Sequence, residues 1–169
     1  IFNRGLLCAA AGRLSADGET PSSVTTCQAV KNNWAADILD GLAVLPAASQ
    51  LSHGLAVAQR YGSGGARQEA ASGFPAAQEI GLPAYRSILV ATGDGELAAV
   101  QALFALIAEL DDTNLLWRGG PSGLASGHRA AIEFLAAGGV LADDWREHAA
   151  AIDRDFVARD LSPGGSADL

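Results

Sequence analysis

Apolar residues recur along most of this chain at three- and four-residue steps, the spacing that places side chains on one face of an α-helix. The clearest run follows the turn Gly93-Asp94-Gly95 and ends where polar residues begin at Asp111. A helix continued through those polar residues would place Asp111, Asn114 and Arg118 on one face, and Gly119-Gly120 would then end it. The apolar stripe of this run consists of Leu97, Val100, Leu103, Phe104, Ile107 and Leu110.

The same spacing predicts helices on both sides of that run. Glycine, proline and serine mark their ends, with Gly81 and Gly138-Gly139 as predicted stops and Pro83 as a helix start. The chain is rich in alanine and poor in β-branched residues, which favours helices over strands. We therefore predict an all-α fold, a compact multi-helix single domain over residues 1–169 with glycine-rich loops lining a nucleotide cleft. The other predicted helices cover 3–14, Pro21 to about Asp40, Ala47–Tyr61, Ala66–Ser72, Pro75–Ile80, the stretch from Pro83, the stretch from Pro121 to Gly138, and Leu141–Phe156.

Composition narrows the class of partner. A net charge of -8 and a pI near 4.7 argue against a nucleic-acid partner, because binding to the phosphate backbone needs a basic surface. All basic residues except Lys31 are arginines, which make forked contacts to phosphate and suit an anionic small molecule. No apolar run reaches membrane-spanning length, so we expect no membrane partner.

Two further features bear on location and completeness. Cys8 and Cys27 lie too far apart for a CxxC motif and each falls in an apolar register, which predicts buried free thiols in a reducing cytoplasm. The chain contains no methionine and begins at Ile1, and it stops directly after a Gly/Ser/Pro loop. We therefore expect a fragment that is truncated at both ends.

The segment Leu110–Gly120, LDDTNLLWRGG, carries the strongest chemical signal. Asp111, Asp112 and the amide oxygen of Asn114 are oxygen ligands of the kind that Mg²⁺ prefers, and Arg118 one turn later can bind a phosphate. The alternative is a solvated helix end. That alternative expects aspartates at a helix N-terminus, whereas here they follow a predicted helix.

A second polar segment, Arg60–Glu69, follows Ser52-His53-Gly54 and contains a glycine loop between two arginines. Gly64 and Gly65 let backbone N–H groups approach an anion that Arg60 and Arg67 would hold. The alternative for the glycine loop is a flexible connector, and the alternative for His53 is a histidine in the core. The third segment is the run LSPGGSADL at 161–169, which has the composition of an anion-binding loop but also of a disordered tail. Its candidate binding residues are Ser162, Gly164, Gly165 and Ser166, whereas His128, His148, Trp34 and Trp145 are assigned to core or surface.

Taken in order, the segments SHG, RYGSGGARQEAASGFP, LDDTNLLWRGG and LSPGGSADL resemble the triphosphoribosyl-dephospho-CoA synthases, the family that serves citrate lyase and malonate decarboxylase. The opening IFNRGLLCAAAGRL looks closer to the malonate decarboxylase branch. The resemblance covers essentially the whole chain. It implies an all-helical transferase that joins ATP to 3′-dephospho-CoA, releases adenine and so makes the prosthetic-group precursor of an acyl carrier protein.

The resemblance also implies roles for the candidate residues. Mg²⁺ would sit on the ATP triphosphate through Asp111 and Asp112, and the arginines, Asn114, Gly119 and the two glycine loops would bind phosphates. Glu69, with His53 behind it, would act as the base or as the carboxylate that stabilises positive charge on the ribose. A possible homodimer is also predicted.

Two departures from the family pattern bear on activity. Trp117 stands where the pattern more often has histidine, and the family's amino-terminal segment lies ahead of Ile1, so the fragment alone is expected to be inactive. Two other functions stay open, namely a helical nucleotide-binding module without catalysis and a metal-dependent phosphohydrolase.

Overall fold

The computed structural model describes Ser15, residues 22–43 and residues 53–169, and every regular element within these ranges is helical. The all-α prediction is therefore confirmed. The chain divides into two compact units, Ile1–Gln78 and Glu79–Leu169. The predicted helix at 3–14 lies outside the described residues. Residues 47–52 of the predicted helix Ala47–Tyr61 lie outside them as well.

The first unit contains helices α1 (Ser23–Ala43), α2 (His53–Tyr61) and α3 (Gly65–Ala71). The start of α1 was predicted correctly, and its cause is reciprocal capping by Ser22 and Thr25. The Ser22 hydroxyl accepts from the Thr25 N–H at 3.1 Å, while the Thr25 hydroxyl accepts from the Ser22 N–H at 2.8 Å. Helix α2 ends at Tyr61, and the next residue, Gly62, has a φ of 73° that favours glycine.

Helix α1 packs closely on the turn after α3. Gly73 has a φ of 84°, and a Cβ on it would lie 3.3 Å from the Cys27 carbonyl oxygen. Val30 of α1 and Ala70 of α3 are fully buried. Cys27 is a buried free thiol, as predicted, and burial raises its pKa. Cys8 lies outside the described residues.

A π-helical turn, Ala77–Gly81, leads without a break into α4 (Leu82–Thr92). The prediction that Gly81 would end a helix is therefore wrong. Gly81 is helical, with φ −63° and ψ −53°, and a Cβ on it would lie 3.3 Å from the Leu106 side chain. This glycine serves close packing and not a turn.

The second unit is organised around α5 (Gly95–Glu109) and α6 (Thr113–Ala136). Asp94 caps α5 by accepting the N–H groups of Glu96 at 2.9 Å and Leu97 at 3.1 Å. Phe104 of α5 stacks on Phe134 of α6 with ring centroids 3.9 Å apart. The remaining elements are a 3₁₀ turn at Gly139–Leu141, α7 (Trp145–Ala158) and the short α8 (Gly164–Ala167).

One helix boundary near the polar segment differs from prediction. The helix does not continue through Asp111: α5 ends at Glu109, residues 110–112 are non-helical, and a new helix begins at Thr113. The predicted stop at Gly119-Gly120 is present as a kink. Gly120, with φ 60° and ψ −161°, ends the first limb of α6, and Pro121 begins its second limb.

No helix within residues 22–43 and 53–169 is both long and apolar enough to cross a membrane.

Candidate functional site

Asp112 is a buried polar residue of the second unit with a full set of hydrogen bonds. Its side chain is 1% exposed, and its carboxylate accepts four hydrogen bonds. One oxygen accepts from the N–H groups of Asn114 at 2.8 Å and Leu115 at 3.2 Å, which makes Asp112 the N-cap of α6. The other accepts from the Ser166 N–H at 2.6 Å and the Ser166 hydroxyl at 2.8 Å. These bonds join the polar segment to α8.

The glycines of the carboxy-terminal loop are required by this contact. A Cβ on Gly165 would lie 3.0 Å from an Asp112 carboxylate oxygen, and one on Gly164 would lie 2.4 Å from the Asn114 amide nitrogen. Side chains at these positions would therefore push the loop away from α6. The loop was predicted to surround an anion, and the anion beside it in this structure is the chain's own Asp112 carboxylate.

Arg118 is tied to the same loop from the next turn of α6. Its Nη1 donates to the Asp160 carboxylate at 2.5 Å and lies 3.4 Å from the Asp160 carbonyl oxygen. Asp160 has a φ of 52°, which is uncommon for a residue with a side chain, and this contact helps to hold it there. Asp112, Asn114 and Arg118 thus all lie against the segment 160–166.

The non-helical residues Leu110–Asp112 form a three-residue turn that we call the corner. The Asp112 N–H donates to the Leu110 carbonyl oxygen at 2.7 Å. The same oxygen lies 3.0 Å from Nε2 of His128, on the second limb of α6. Because a carbonyl oxygen only accepts, Nε2 carries the proton. Asp111, in the middle of the corner, is exposed.

The corner fits the predicted Mg²⁺ at one residue only. Both oxygens of Asp112 are saturated by backbone and hydroxyl donors, so in this arrangement its carboxylate offers no position to a metal. Asp111 presents an exposed carboxylate. Proteins commonly bind Mg²⁺ through only one or two carboxylates, with phosphates and waters as the other ligands. Within the described ranges no group of three or more His, Cys, Asp or Glu side chains is arranged to hold a metal.

Ser166 also borders an open groove of about 400 Å³ in the second unit. Apart from Tyr85 and Ser166 its lining is aliphatic, and it includes Val100, Leu103, Leu106 and Leu169. Because Asp112 holds Ser166, the contact that fixes the corner also fixes one wall of this groove.

Of the other predicted site residues, Gly119 and Ser162 lie in the second unit and the rest in the first. Residues 62–64 connect α2 to α3, and Gly65, the first residue of α3, has a φ of 52°. Arg60 is exposed and its guanidinium lies 5.2 Å from the centre of the Tyr61 ring. Glu69 accepts the Ala76 N–H at 3.1 Å, which ties α3 to the next helical segment. His53 is exposed at the start of α2, and Arg67 is half-buried.

Sequence reasoning missed two residues of this site, His128 and Asp160. His128 is 18 residues from Leu110, and Arg118 is 42 residues from Asp160, so both contacts depend on tertiary packing. The sequence signal for Asp160 was its position directly before the carboxy-terminal loop. For His128 the helical spacing indicated only an inward-facing side chain.

Comparison with known proteins gives the family. The family described as ATP:dephospho-CoA triphosphoribosyl transferase matches residues 1–169. The chain belongs to this family. It is 43% identical over 169 residues to the 2-(5''-triphosphoribosyl)-3'-dephosphocoenzyme-A synthase of Klebsiella pneumoniae, and 40% identical over 169 residues to a probable synthase of the same name from Acinetobacter calcoaceticus.

The match covers all of this chain and 56% of each of these two relatives, so the chain spans about half the length of the curated relatives it matches. A probable synthase of Pseudomonas putida is 42% identical over 132 residues, which is 78% of this chain and 46% of that protein. No solved structure gives a significant match.

Proposed function

We propose that the protein to which this chain belongs transfers the triphosphoribosyl group of ATP to 3'-dephospho-CoA and releases adenine. The observation that carries the proposal is the family match over residues 1–169, together with relatives named as this synthase at about 40% identity across the chain. In the reaction, the bond between ribose C1′ and adenine breaks. A ribose hydroxyl oxygen of dephospho-CoA bonds to C1′, and its proton balances the adenine that leaves.

Phosphate binding is assigned to the side chains that meet at the corner and the 160–166 segment. Arg118 binds Asp160 through Nη1, and a guanidinium carries five N–H donors, so a phosphate contact by Arg118 is compatible with this pair. Asn114 and the loop residues Ser162, Gly164 and Gly165 are assigned to the same phosphates. Ser166 was predicted as a further ligand, but it is buried and both of its donors bind Asp112 in this structure, so it would support the loop. Mg²⁺, when bound with ATP, would neutralise triphosphate charge, with Asp111 as its protein ligand.

The remaining assignments stay predictions. They are Glu69 as base or charge-stabilising carboxylate, His53 behind it, Arg60, Arg67, Gly64 and Gly65 on phosphates, and Gly119 beside Arg118. The Glu69 carboxylate accepts a hydrogen bond from the Ala76 N–H. A homodimer, a cytoplasmic location and service to the malonate decarboxylase branch are likewise proposals.

The test is to incubate the full-length protein with ATP, Mg²⁺ and dephospho-CoA and to measure adenine and the joined product by mass spectrometry. We expect both to form in equal amounts, and neither to form when dephospho-CoA is left out. Binding of both substrates without adenine release would instead indicate a nucleotide-binding module. Phosphate or free ribose formed from ATP alone would indicate a phosphohydrolase.

A further inference from the structure

The corner is held from both of its ends by side chains that are distant in sequence. On one side, Asp112 is fixed by its four bonds to Asn114, Leu115 and Ser166. On the other, the Leu110 carbonyl oxygen accepts from the Asp112 N–H and from Nε2 of His128. Asp111 lies between these two fixed ends and is exposed. The corner therefore restrains the backbone of an exposed carboxylate.

Satisfaction of the Leu110 carbonyl does not require His128. The 2.7 Å bond from the Asp112 N–H already gives this oxygen a donor, and buried acceptors generally need one. What the histidine adds is direction, because a second donor fixes the plane of the peptide between Leu110 and Asp111. The orientation of that plane sets the direction in which the Asp111 side chain leaves the backbone.

We propose that His128 is a positioning residue that aims the Asp111 carboxylate at the cation of a bound nucleotide. The inference rests on the proposed function, since it takes ATP with Mg²⁺ as the ligand. His128 does not contact the nucleotide in this scheme. Its effect passes through the Leu110 carbonyl oxygen and the peptide that follows it.

The test uses two amide replacements in the full-length protein. In His128→Gln the amide nitrogen takes the place of Nε2 and keeps the donor to Leu110. In His128→Asn the nitrogen takes the place of Nδ1 and falls short of it. We expect His128→Asn to weaken the affinity for Mg²⁺-ATP, titrated by calorimetry, by roughly three- to tenfold, the worth of one such hydrogen bond. The affinity of His128→Gln for Mg²⁺-ATP should stay within about twofold of the parent's affinity.

A double-mutant cycle with Asp111→Asn shows whether His128 acts through Asp111. Adding His128→Asn to Asp111→Asn should cause little further loss of affinity, because the carboxylate to be aimed is already gone. Equal affinities for His128→Asn and His128→Gln, or fully additive losses, would overturn the inference. Unfolding curves of each variant separate loss of fold from loss of position.

The outcomes also separate this inference from the proposed reaction. If Asp111→Asn binds Mg²⁺-ATP as the parent does, the metal ligand is misassigned and the inference fails with it. If the cycle shows coupling but no adenine is released, the corner binds nucleotide as inferred and the proposed reaction is wrong.

Discussion

Asp111 and Asp112 are neighbours of identical chemistry in very different surroundings. Asp112 is 1% exposed and fully hydrogen-bonded, whereas Asp111 is exposed at the middle of the corner. Both were predicted to bind one cation, because adjacent carboxylates can share it. Both lie in the non-helical corner, where the bonds from Ser166 hold Asp112 inside and Asp111 stays exposed.

The two aspartates should respond differently to the same substitution. Asp112→Asn replaces one acceptor oxygen with an amide nitrogen that faces N–H and O–H donors, which leaves buried groups unsatisfied. We expect the free energy of unfolding to fall by about 1–3 kcal/mol. Asp111→Asn, the matched control, should change it by less than about 0.5 kcal/mol. Urea unfolding of both variants measures this, and equal losses would show that Asp112 is not the anchor of the loop.

Cys27 gives a pH-dependent prediction because burial raises the pKa of its thiol. In the unfolded chain the thiol ionises near its ordinary pKa of about 8.5, whereas in the folded chain it stays neutral to higher pH. The contribution of this raised pKa to the free energy of unfolding is therefore fully present below about pH 8, and it should be lost as the pH rises further.

Cys27→Ala supplies the comparison for this prediction, because Cys8 titrates in both proteins and cancels. We expect the difference in unfolding free energy between parent and variant to be constant from pH 6 to about 8, on the ordinary thiol pKa, and then to shift against the parent. A difference that stays flat to pH 10 would mean that the Cys27 thiol titrates alike in both states.

At the scale of elements, most helix limits could be predicted, because local residues determine them. Ser22 starts α1, Asp94 caps α5, and glycines with positive φ follow α2 and α6. The error at Gly81 has a different origin. This glycine allows close packing on Leu106 inside a continuous helical segment, which depends on a neighbour that local sequence does not reveal. At Gly120 the predicted end of the first limb of α6 is present, and the second limb follows directly at Pro121.

The kink in α6 requires glycine at position 120. Its φ of 60° and ψ of −161° fall in a region that residues with a Cβ essentially never adopt. Gly120→Ala should therefore lower the free energy of unfolding by about 1–3 kcal/mol. Gly54→Ala in α2 is the control, since nothing lies within 4 Å of a Cβ there and alanine favours a helix. Thermal unfolding should show a loss for the first and none for the second, and the reverse order would exclude a fixed kink.

At the scale of the whole molecule, the helical class followed from composition and spacing, but the grouping of helices did not. The polar segment and the carboxy-terminal loop were expected in one site, and the Asp112–Ser166 bonds bring them together. The glycine loop at 62–65 and Glu69 belong to the other compact unit. The spacing of apolar residues specifies which face of each helix is buried. Which helices pack against each other depends on the fit of side chains that are tens of residues apart in sequence.

The second unit has a hydrophobic core of its own, as an independently folding domain does. Both of its buried clusters, one around Phe104 and Phe134 and one around Leu115, Phe156 and Leu161, consist of residues from 79–169. We expect the excised segment Glu79–Leu169 to be helical by circular dichroism and to unfold cooperatively in urea. A broad, non-cooperative transition would contradict this expectation, because it would mean that these clusters need further contacts to pack.

Phe134→Ala sharpens that experiment, since Phe134 is fully buried and stacks on Phe104. Its removal from a packed core should cost about 3–5 kcal/mol. If the core of this unit is complete in itself, the loss should be the same in the excised segment and in the longer chain, because the same neighbours surround the cavity in both. A much smaller loss in the excised segment would show that its core has loosened, even where its helices persist.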